Sequence, residues 1–251
     1  MNSAAAESEP GTFLPWDTDF FGFRIGRANA TQLNPQSLAA LLAWTETLHL
    51  RCLYFSADGQ SGETLELASR SGFQFVDVRV DLTLPMKTAA APAARDENIR
   101  TARPGDMAGL QTIARRSHLD TRFFKDRGFP IARAEALYAE WIRRDMEKHH
   151  VLVAEDRGEA AGYITCLTDP ATGHGRIGLI AVAGPAQGKG LGRALLLAGL
   201  DWFRTMQCEL VRVATQAANL PAQRLYQAAG FRSTESSVWF HRWSPVPPTR
   251  S

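Results

Sequence analysis

Apolar residues follow two different periods along the second half of the chain. Where they recur every three or four positions they predict amphipathic helices, and where they form short runs rich in β-branched residues they predict strands. The predicted helices begin at Met107 and cover residues 134–147, 190–206 and 221–229. The predicted strands cover residues 99–103, 150–155, 161–167, 176–182 and 210–216, and Phe231 opens the final strands. This order predicts a mixed α/β module.

The composition of the chain changes once, in a segment rich in alanine and proline. Residues 85–98 lack an apolar period, which predicts a linker between an N-terminal module at 1–84 and a second module at 99–243. Residues 244–251, SPVPPTRS, are predicted to form a disordered tail.

Charge and cysteine content exclude several classes of protein. The chain has 28 basic and 26 acidic residues, a balance that argues against a nucleic-acid-binding surface. Its three cysteines lie far apart without metal-ligand spacing, so we expect no metal site and a reducing, cytoplasmic location. No apolar run approaches the roughly 18 residues of a membrane span, so we expect no membrane partner, and we leave a homodimer open.

Four glycines and a lysine come directly before the helix predicted at 190–206, in the stretch GPAQGKGLGR. A helix N-terminus offers unpaired N–H donors and a partial positive charge, and glycines let an anion approach them closely. The stretch therefore predicts a phosphate-binding loop, although a loop that only turns the chain is the alternative. It differs from a P-loop because Lys189 lies between the glycines and no Ser or Thr follows for magnesium.

Two motifs in the second module resemble those of the GNAT superfamily of acetyl-CoA-dependent N-acetyltransferases. They are Gln187-x-x-Gly190-x-Gly192 and, further along, NLPAQRLYQAAGF at residues 219–231. The resemblance covers about residues 99–243 and implies an α/β GNAT fold with a mixed, mostly antiparallel central sheet. It also implies an N-acetyltransferase with acetyl-CoA as its cofactor and a small-molecule amine as its acceptor.

Segments outside these motifs are similar to the dTDP-fucosamine acetyltransferase family. They include LPWDTDFFGFRIGR and SGFQFVDVRVDLTLP in the first module and RVATQAAN in the second. This similarity spans nearly the whole chain and implies that the acceptor is the 4-amino group of a dTDP-linked dideoxysugar. The glycine loop follows the general superfamily pattern more closely than that of the sugar enzymes, so another small amine (amino acid, polyamine or aminoglycoside) stays open, as does a non-catalytic module that holds CoA.

The superfamily resemblance also implies which residues bind the cofactor. These are Leu179, Ile180, Ala181 and Val182 of the strand before the loop, Gln187, Gly188, Lys189, Gly190, Leu191, Gly192 and Arg193 of the loop, and Asn219 and Tyr226 after the next strand. The strand would pair with the pantetheine arm, and the loop would hold the pyrophosphate. Tyr226 is the implied catalytic residue, donating a proton to the leaving thiolate; its alternative is a core tyrosine.

The sequence does not assign a general base. Many superfamily members carry a glutamate on the strand before the loop, but RIGLIAV has no carboxylate and RVATQ has none either. The candidates by chemistry are His118, Asp120, Asp17 and Asp19. A sugar amine of low pKa could instead lose its proton to water. The aromatic residues that could stack a nucleobase, or simply form core, are Trp16, Phe20, Phe21, Phe23, Phe123, Phe124 and Trp141.

The sequence of the first module resembles an eroded half of the same fold. Placing Gly72 on Gly230 gives an offset of 230 − 72 = 158, which also puts Trp44 on Trp202 without a gap. The residues implied in cofactor binding are replaced: Asn219, Tyr226, Gly190 and Gly192 face Ser61, Ala68, Gln32 and Asn34. We therefore expect this module to extend the sheet or shape a substrate cleft without binding a cofactor.

Overall fold

The computed structural model describes residues 9–89 and 96–245, which contain ten strands, eight α-helices and three short 3-10 helices. The strands are β1 Gly11–Phe13, β2 Ile25–Ala28, β3 Cys52–Asp58, β4 Gln74–Pro85, β5 Ile99–Thr101, β6 His150–Asp156, β7 Glu159–Asp169, β8 His174–Val182, β9 Leu210–Gln216 and β10 Arg232–Trp243. The helices are α1 Pro15–Phe21, α2 Pro35–Thr47, α3 Gly62–Arg70, α4 Met107–Ser117, α5 Arg122–Lys125, α6 Ile131–Lys148, α7 Leu191–Thr205 and α8 Leu220–Ala228. The 3-10 helices are Met86–Thr88, Pro104–Asp106 and Gly184–Ala186.

The chain folds as two compact units. Unit 1 contains the chain up to Arg79, the segment Lys125–Phe129 and the chain from Ser236. Unit 2 contains Val80–Phe124 and Pro130–Glu235. Strands β4 and β10 each begin in one unit and end in the other.

Unit 2 is built on strands in the order β4-β9-β8-β7-β6-β5. Strands β5 to β8 pair antiparallel, whereas β8 and β9 run parallel. Helix α7 covers one face of these strands and fills the core with Leu195, Leu196 and Phe203, all fully buried. Helix α4 packs against α6 and β7. The parallel β8-α7-β9 connection brings the end of one strand and the start of one helix to the same place, where the glycine loop lies.

Unit 1 repeats this connection on a smaller scale. Its strands lie in the order β1-β2-β3-β10, with β2 and β3 parallel and the other pairs antiparallel. Its core packs α2 and α3 against the strands through apolar residues that include Leu41, Phe55 and Phe73.

The internal repeat predicted from the sequence is confirmed by the bounds of the elements. Adding 158 to the bounds of β3, α3 and β4 gives the bounds of β9, α8 and β10 residue for residue. Even the unusual backbone positions match, because His49 and Gln207 have φ values of 50° and 54°, and Gly72 and Gly230 have 81° and 96°. Unit 1 therefore retains the backbone of a half-domain although its side chains differ.

The last strands of the two repeats are exchanged between the units. Strand β10 ends the second repeat, yet Ser237–Trp243 pair antiparallel with Cys52–Asp58 in unit 1. Strand β4 ends the first repeat, yet its second half lies next to β9 in unit 2, where Leu82 and Leu84 are fully buried. Each unit thus depends on a strand from the other repeat.

The mixed α/β fold class predicted from the sequence is confirmed, and five of the seven strand pairs described above for β1–β3, β10 and β5–β9 are antiparallel. The predicted helices and strands of the second module are found with ends within three residues. The prediction of several final strands was wrong, since Phe231 is followed by the single strand β10. The short helix α5 was not predicted.

The predicted domain boundaries stay predictions. Residues 90–95 of the predicted linker and 246–251 of the predicted tail lie outside the described residues. Within the part of the chain that the structure describes, no helix is both long and apolar enough to cross a membrane.

Candidate active site

Strands β8 and β9 separate soon after they begin. Their parallel pairing covers His174, Gly175 and Arg176 of β8, opposite Leu210, Val211 and Arg212 of β9. Beyond Arg176 no residue of β8 has a register partner in β9, although both strands are fully described. The main chain of β8 from Ile177 to Val182 therefore has one edge paired with β7 and one edge open toward the gap.

A β-bulge lies at the start of this open edge. Ile164 faces Ile180 and Cys166 faces Ile177, so Thr165 is opposed by both Gly178 and Leu179. The Thr165 hydroxyl accepts a hydrogen bond from the Leu179 N–H at 2.9 Å. A Cβ atom at Gly178 would meet Thr165 Oγ1 at 2.5 Å, so the bulge requires glycine there.

The alternation of the strand decides which of the four predicted β8 residues can reach a ligand through the main chain. The Ala183 N–H donates to the Ala161 carbonyl of β7, and the Leu179 N–H is bonded to Thr165. Successive residues of a strand point their main-chain groups to opposite edges. The N–H and C=O groups of Ile180 and Val182 therefore face the gap, whereas those of Leu179 and Ala181 face β7.

The glycine loop joins the open edge to helix α7. Gly188 and Gly190 have φ values of 78° and 83°, a region that favours glycine, and a Cβ atom on either would meet nothing within 4 Å. Glycine is required here by backbone conformation and not by packing. The surface above the loop backbone is open.

Helix α7 begins at this loop without a capping side chain, Gly190 being its N-cap. The N–H groups of its first turn, at Leu191, Gly192 and Arg193, have no partner within the helix. The first turn holds no acidic residue, so its partial positive charge is not offset by a side chain of the turn. These are the features of an anion site.

Side chains at both ends of the loop fix its shape. Lys189 Nζ lies 2.5 Å from Asp156 Oδ2 at the end of β6, and this contact lowers the pKa of the Asp156 carboxyl. The Gln187 side chain donates to the Val182 carbonyl at 3.0 Å. The lysine therefore anchors the loop to β6.

The structure brings the loop together with β8 and α8. A Cβ atom at Gly192 would lie 3.8 Å from side-chain carbons of Val182 and of Leu225, the residue before Tyr226. Asn219 is the N-cap of α8, and its side-chain oxygen accepts from the Ala222 N–H at 3.2 Å. Its amide NH₂ is the part of the side chain that capping does not use.

Tyr226 packs its ring in the core of unit 2. It is 3% exposed and its ring lies 5.7 Å from that of Phe231. Burial raises the pKa of the Tyr226 hydroxyl well above its usual range, because the charged phenolate is disfavoured away from water. The hydroxyl therefore stays protonated throughout the physiological pH range.

The four base candidates from the sequence are dispersed. His118 ends α4, with Nε2 3.0 Å from the Tyr163 hydroxyl, and burial lowers its pKa to about 4. Asp120 is exposed between α4 and α5. Asp17 and Asp19 belong to helix α1 of unit 1, where the Tyr54 hydroxyl lies 3.5 Å from Asp17 Oδ1. His118 is neutral at physiological pH and already engaged.

Sequence reasoning missed a carboxylate on helix α6. Asp145 is half-buried, and its Oδ2 would lie 3.3 Å from a Cβ atom at Gly178 in the bulge. Burial raises the pKa of the Asp145 carboxyl, and the nearby Thr165 side chain opposes this by a smaller amount. The only signal in the sequence was an isolated threonine in the apolar strand AGYITCL; nothing linked it to a helix twenty residues earlier.

The predicted aromatic residues divide between the units. In unit 1 Phe21 and Phe23 pack against Phe129, at 4.7 and 5.9 Å between ring centroids, and form core. Trp16 and Phe20 are half-buried and stack on each other along α1, at 5.1 Å. In unit 2 Phe123 contacts Trp141 edge to face.

Comparisons with known proteins agree on a family. A family model described as "Acetyltransferase (GNAT) family" matches residues 114–231. A protein named dTDP-fucosamine acetyltransferase, from Escherichia coli O6:H1, is 27% identical over 91% of this chain and 96% of its own length. A mycothiol acetyltransferase from Acidothermus cellulolyticus is 30% identical over 74% of this chain, which spans 61% of that relative.

Among solved structures, one titled as a tandem GNAT protein from the clavulanic acid biosynthesis pathway shares the fold. Its TM-score is 0.60 at 16% identity, covering 89% of this chain and 76% of that one.

Proposed function

The chain is an acetyltransferase of the GNAT family, and from that premise we propose that it transfers an acetyl group from acetyl-CoA to the amine of a nucleotide-linked 4-amino-dideoxysugar. The observation that carries this proposal is the open edge of β8 leading directly to the uncapped N-terminus of α7. The open edge of β8 has main-chain groups free to pair with an extended ligand, and the start of α7 has an anion site. A pantetheine arm ending in a pyrophosphate needs both.

The chain's own groups fit the cofactor. The pyrophosphate would be held by main-chain N–H groups of the loop and first turn, from Gly188 to Arg193, which positive-φ glycines leave uncovered. Ile180 and Val182 would bind the arm as an added strand does, through main-chain hydrogen bonds. The Asn219 NH₂ is a further donor. When bound, acetyl-CoA supplies the acetyl thioester.

We assign to Tyr226 the role of proton donor to the sulfur that leaves with CoA. Its raised pKa keeps the hydroxyl protonated, and its buried ring fixes the position of the phenolic oxygen. A hydroxyl held in this way would donate its proton to the thioester sulfur as that sulfur leaves, and the buried surroundings that disfavour a phenolate would disfavour a thiolate as well.

Two arginines support an acceptor that carries a phosphate. Arg176 and Arg212 are register partners on β8 and β9, at the point where the strands separate, and both are exposed. Like charges directly opposite each other destabilise a sheet. A nucleotide diphosphate would neutralise them, and arginine binds phosphate through paired hydrogen bonds. The relative named for dTDP-fucosamine, similar along 91% of the chain, supports the same acceptor class.

A second acceptor class has support of its own. Several relatives are named mycothiol acetyltransferases, one of them 31% identical over 76% of this chain. The alternative is therefore an N-acetyltransferase for a different small amine. In either case the three free, buried cysteines support a reducing, cytoplasmic setting.

The proposal is tested by measuring thiol release from acetyl-CoA with a panel of acceptors. The panel contains dTDP- and UDP-linked amino sugars, free amino sugars, polyamines, amino acids and aminoglycosides. We expect the highest kcat/KM with a dTDP-4-amino-dideoxysugar. We also expect Arg176→Gln and Arg212→Gln to raise KM for that acceptor but not for an unphosphorylated amino sugar. Equal efficiency with an acceptor that lacks phosphate would overturn the sugar-nucleotide assignment.

A further inference from the structure

A set of polar groups lies at the β8 bulge, beside helix α6. The Leu179 N–H donates to Thr165 Oγ1 at 2.9 Å, and a Cβ atom at Gly178 would lie 2.5 Å from Thr165 Oγ1 and 3.3 Å from Asp145 Oδ2. Thr165 is fully buried in β7, so the set is held rigidly on that side. Asp145 is half-buried, so part of this residue remains in contact with solvent. The buried threonine stabilises the bulge, and the Asp145 carboxylate lies beside the same glycine.

The position of this carboxylate along β8 suits an attacking amine. Val182 lies next to the phosphate-binding loop, and Gly178 lies four residues back, roughly 13 Å along a strand. An arm extended from the loop along the open edge would bring its far end to the bulge. Asp145 Oδ2 would lie 3.3 Å from a Cβ atom at Gly178, at that same end. The glycine leaves room beside the carboxylate.

Charged and titratable groups surround Asp145 from several elements. Arg144 and His149 lie on or just after α6, and Arg176 lies on β8; all three act on the carboxylate through their charge. On β7, Tyr163 feels the charge of Asp145, and its hydroxyl is 3.0 Å from His118 of α4. Burial nevertheless dominates, and it raises the pKa of Asp145.

We propose that Asp145 is the proton acceptor of the reaction, taking a proton from the ammonium group of the acceptor before the amine attacks. This rests on the proposed function, since it assumes an amine acceptor at the β8 bulge. In the step an N–H bond of the ammonium breaks and an O–H bond forms on the carboxylate. The products are a neutral amine, with its electron pair free, and a neutral carboxylic acid, which later releases the proton to water.

The environment of Asp145 favours this transfer. An exposed aspartate is a weak base because its pKa lies far below neutrality. Burial destabilises the carboxylate and moves its pKa toward the working pH, which is the direction a general base requires. The transfer also converts two charged groups into two neutral ones, and a partly dry site favours neutral groups.

The pH profile distinguishes this role from a structural one. The ionised Asp145 would hold the acceptor as an ammonium ion, so the productive pair is the ionised carboxylate and the protonated amine. Activity, as kcat/KM, should therefore rise with pH through the raised pKa of Asp145 and fall again above the pKa of the amine. Tyr226 does not cause that fall, because burial raises the pKa of its hydroxyl beyond the range tested.

The experiment compares the full chain with Asp145→Asn, using dTDP-4-amino-4,6-dideoxygalactose as the probe. We expect the variant to lose 10²- to 10⁴-fold in kcat/KM at neutral pH, the range typical of general bases. Its profile should have no falling limb and should increase with the fraction of free amine. Calorimetry without acetyl-CoA gives a second readout: the wild type should bind the acceptor more weakly above the pKa of the amine, and the variant should not respond.

Two controls separate Asp145 from its surroundings. Glu147→Gln removes the same charge from the same helix, but Glu147 is paired with Arg143 and is 52% exposed, so its profile should match the wild type. The kcat/KM profile of His149→Gln should still rise and then fall with pH, which would exclude His149 as the group that titrates. Thermal unfolding of each variant reports whether it folds.

The outcomes are distinct. If the wild type acetylates the probe and Asp145→Asn keeps the same bell-shaped profile, the role of Asp145 is overturned. If Asp145→Asn does not fold, the wild-type profile alone decides. The role of Asp145 is then overturned if kcat/KM only rises with the fraction of free amine and does not fall at higher pH. If the wild type acetylates no acceptor of the panel, the proposed function fails instead.

Discussion

At the scale of single residues, burial affects two ionisable side chains of unit 2, Tyr226 and Asp145, and suits them to different roles. It raises the pKa of the Tyr226 hydroxyl and of the Asp145 carboxyl alike, because each charged form is disfavoured away from water. The consequences are opposite. Tyr226 becomes a group that is protonated before the reaction and has a proton to donate, whereas Asp145 becomes a group more ready to accept one.

Tyr226→Phe tests the first of these roles. The substitution keeps the ring and its contact with Phe231, so the melting temperature should change little. Only the proton donor is lost, and we expect kcat to fall about 10²- to 10⁴-fold. Steady-state kinetics and calorimetry with acetyl-CoA check this together. Unchanged kcat would leave Tyr226 as a core residue, and a large loss of affinity with kcat preserved would make it a binding residue.

At the scale of elements, local signals were enough to predict most of the fold. Asn219 and Pro221 mark the start of α8, Gly230 marks its end with φ near 96°, and all three act within one turn of the chain. The glycines of the loop are a local signal too, because Gly188 and Gly190 have positive φ values that favour glycine. These signals located the glycine loop and the start of α8 without any tertiary information.

Features that depend on pairing between distant strands could not be predicted. The bulge at Gly178 exists because Thr165 on β7 bonds the Leu179 N–H, and RIGLIAV contains no turn residue to mark it. Asp145 was missed for the same reason, since its helix reaches the site only through packing. The exchange of β4 and β10 was also hidden, because the two strands have equal length and equivalent places in the repeat.

At the scale of the whole molecule, we expect the exchanged strands to make the two repeats mutually dependent for folding. A chain that begins at Pro85 would lack Leu82 and Leu84, both fully buried in unit 2. Removing a single buried leucine side chain typically costs about 2–5 kcal/mol of unfolding free energy, against a total of about 5–15. A deletion at this position therefore removes core as well as any substrate contacts of the first repeat.

We therefore expect residues 85–251 alone to show no cooperative thermal unfolding by circular dichroism. A chain that begins at Gln74, the first residue of β4, is the matched control and should retain more structure. A cooperative transition of residues 85–251 at the midpoint of the full chain would contradict the dependence and would support an independent second module.

The most direct test of the central claim is calorimetric titration of acetyl-CoA into Gly190→Glu. Gly190 has φ of 83° at the N-terminus of α7, with open space above it, so a glutamate there puts a negative charge where the pyrophosphate is proposed to bind. Gly22→Glu is the matched control, because Gly22 has φ of 82°, equally open space and a position in unit 1. Both substitutions add the same charge and a similar backbone strain of about 1–2 kcal/mol. The account predicts at least a tenfold loss of affinity for Gly190→Glu, on the order of 1.4 kcal/mol, and none for Gly22→Glu. Equal affinity in the wild type and Gly190→Glu would contradict the assignment of this loop as the cofactor site.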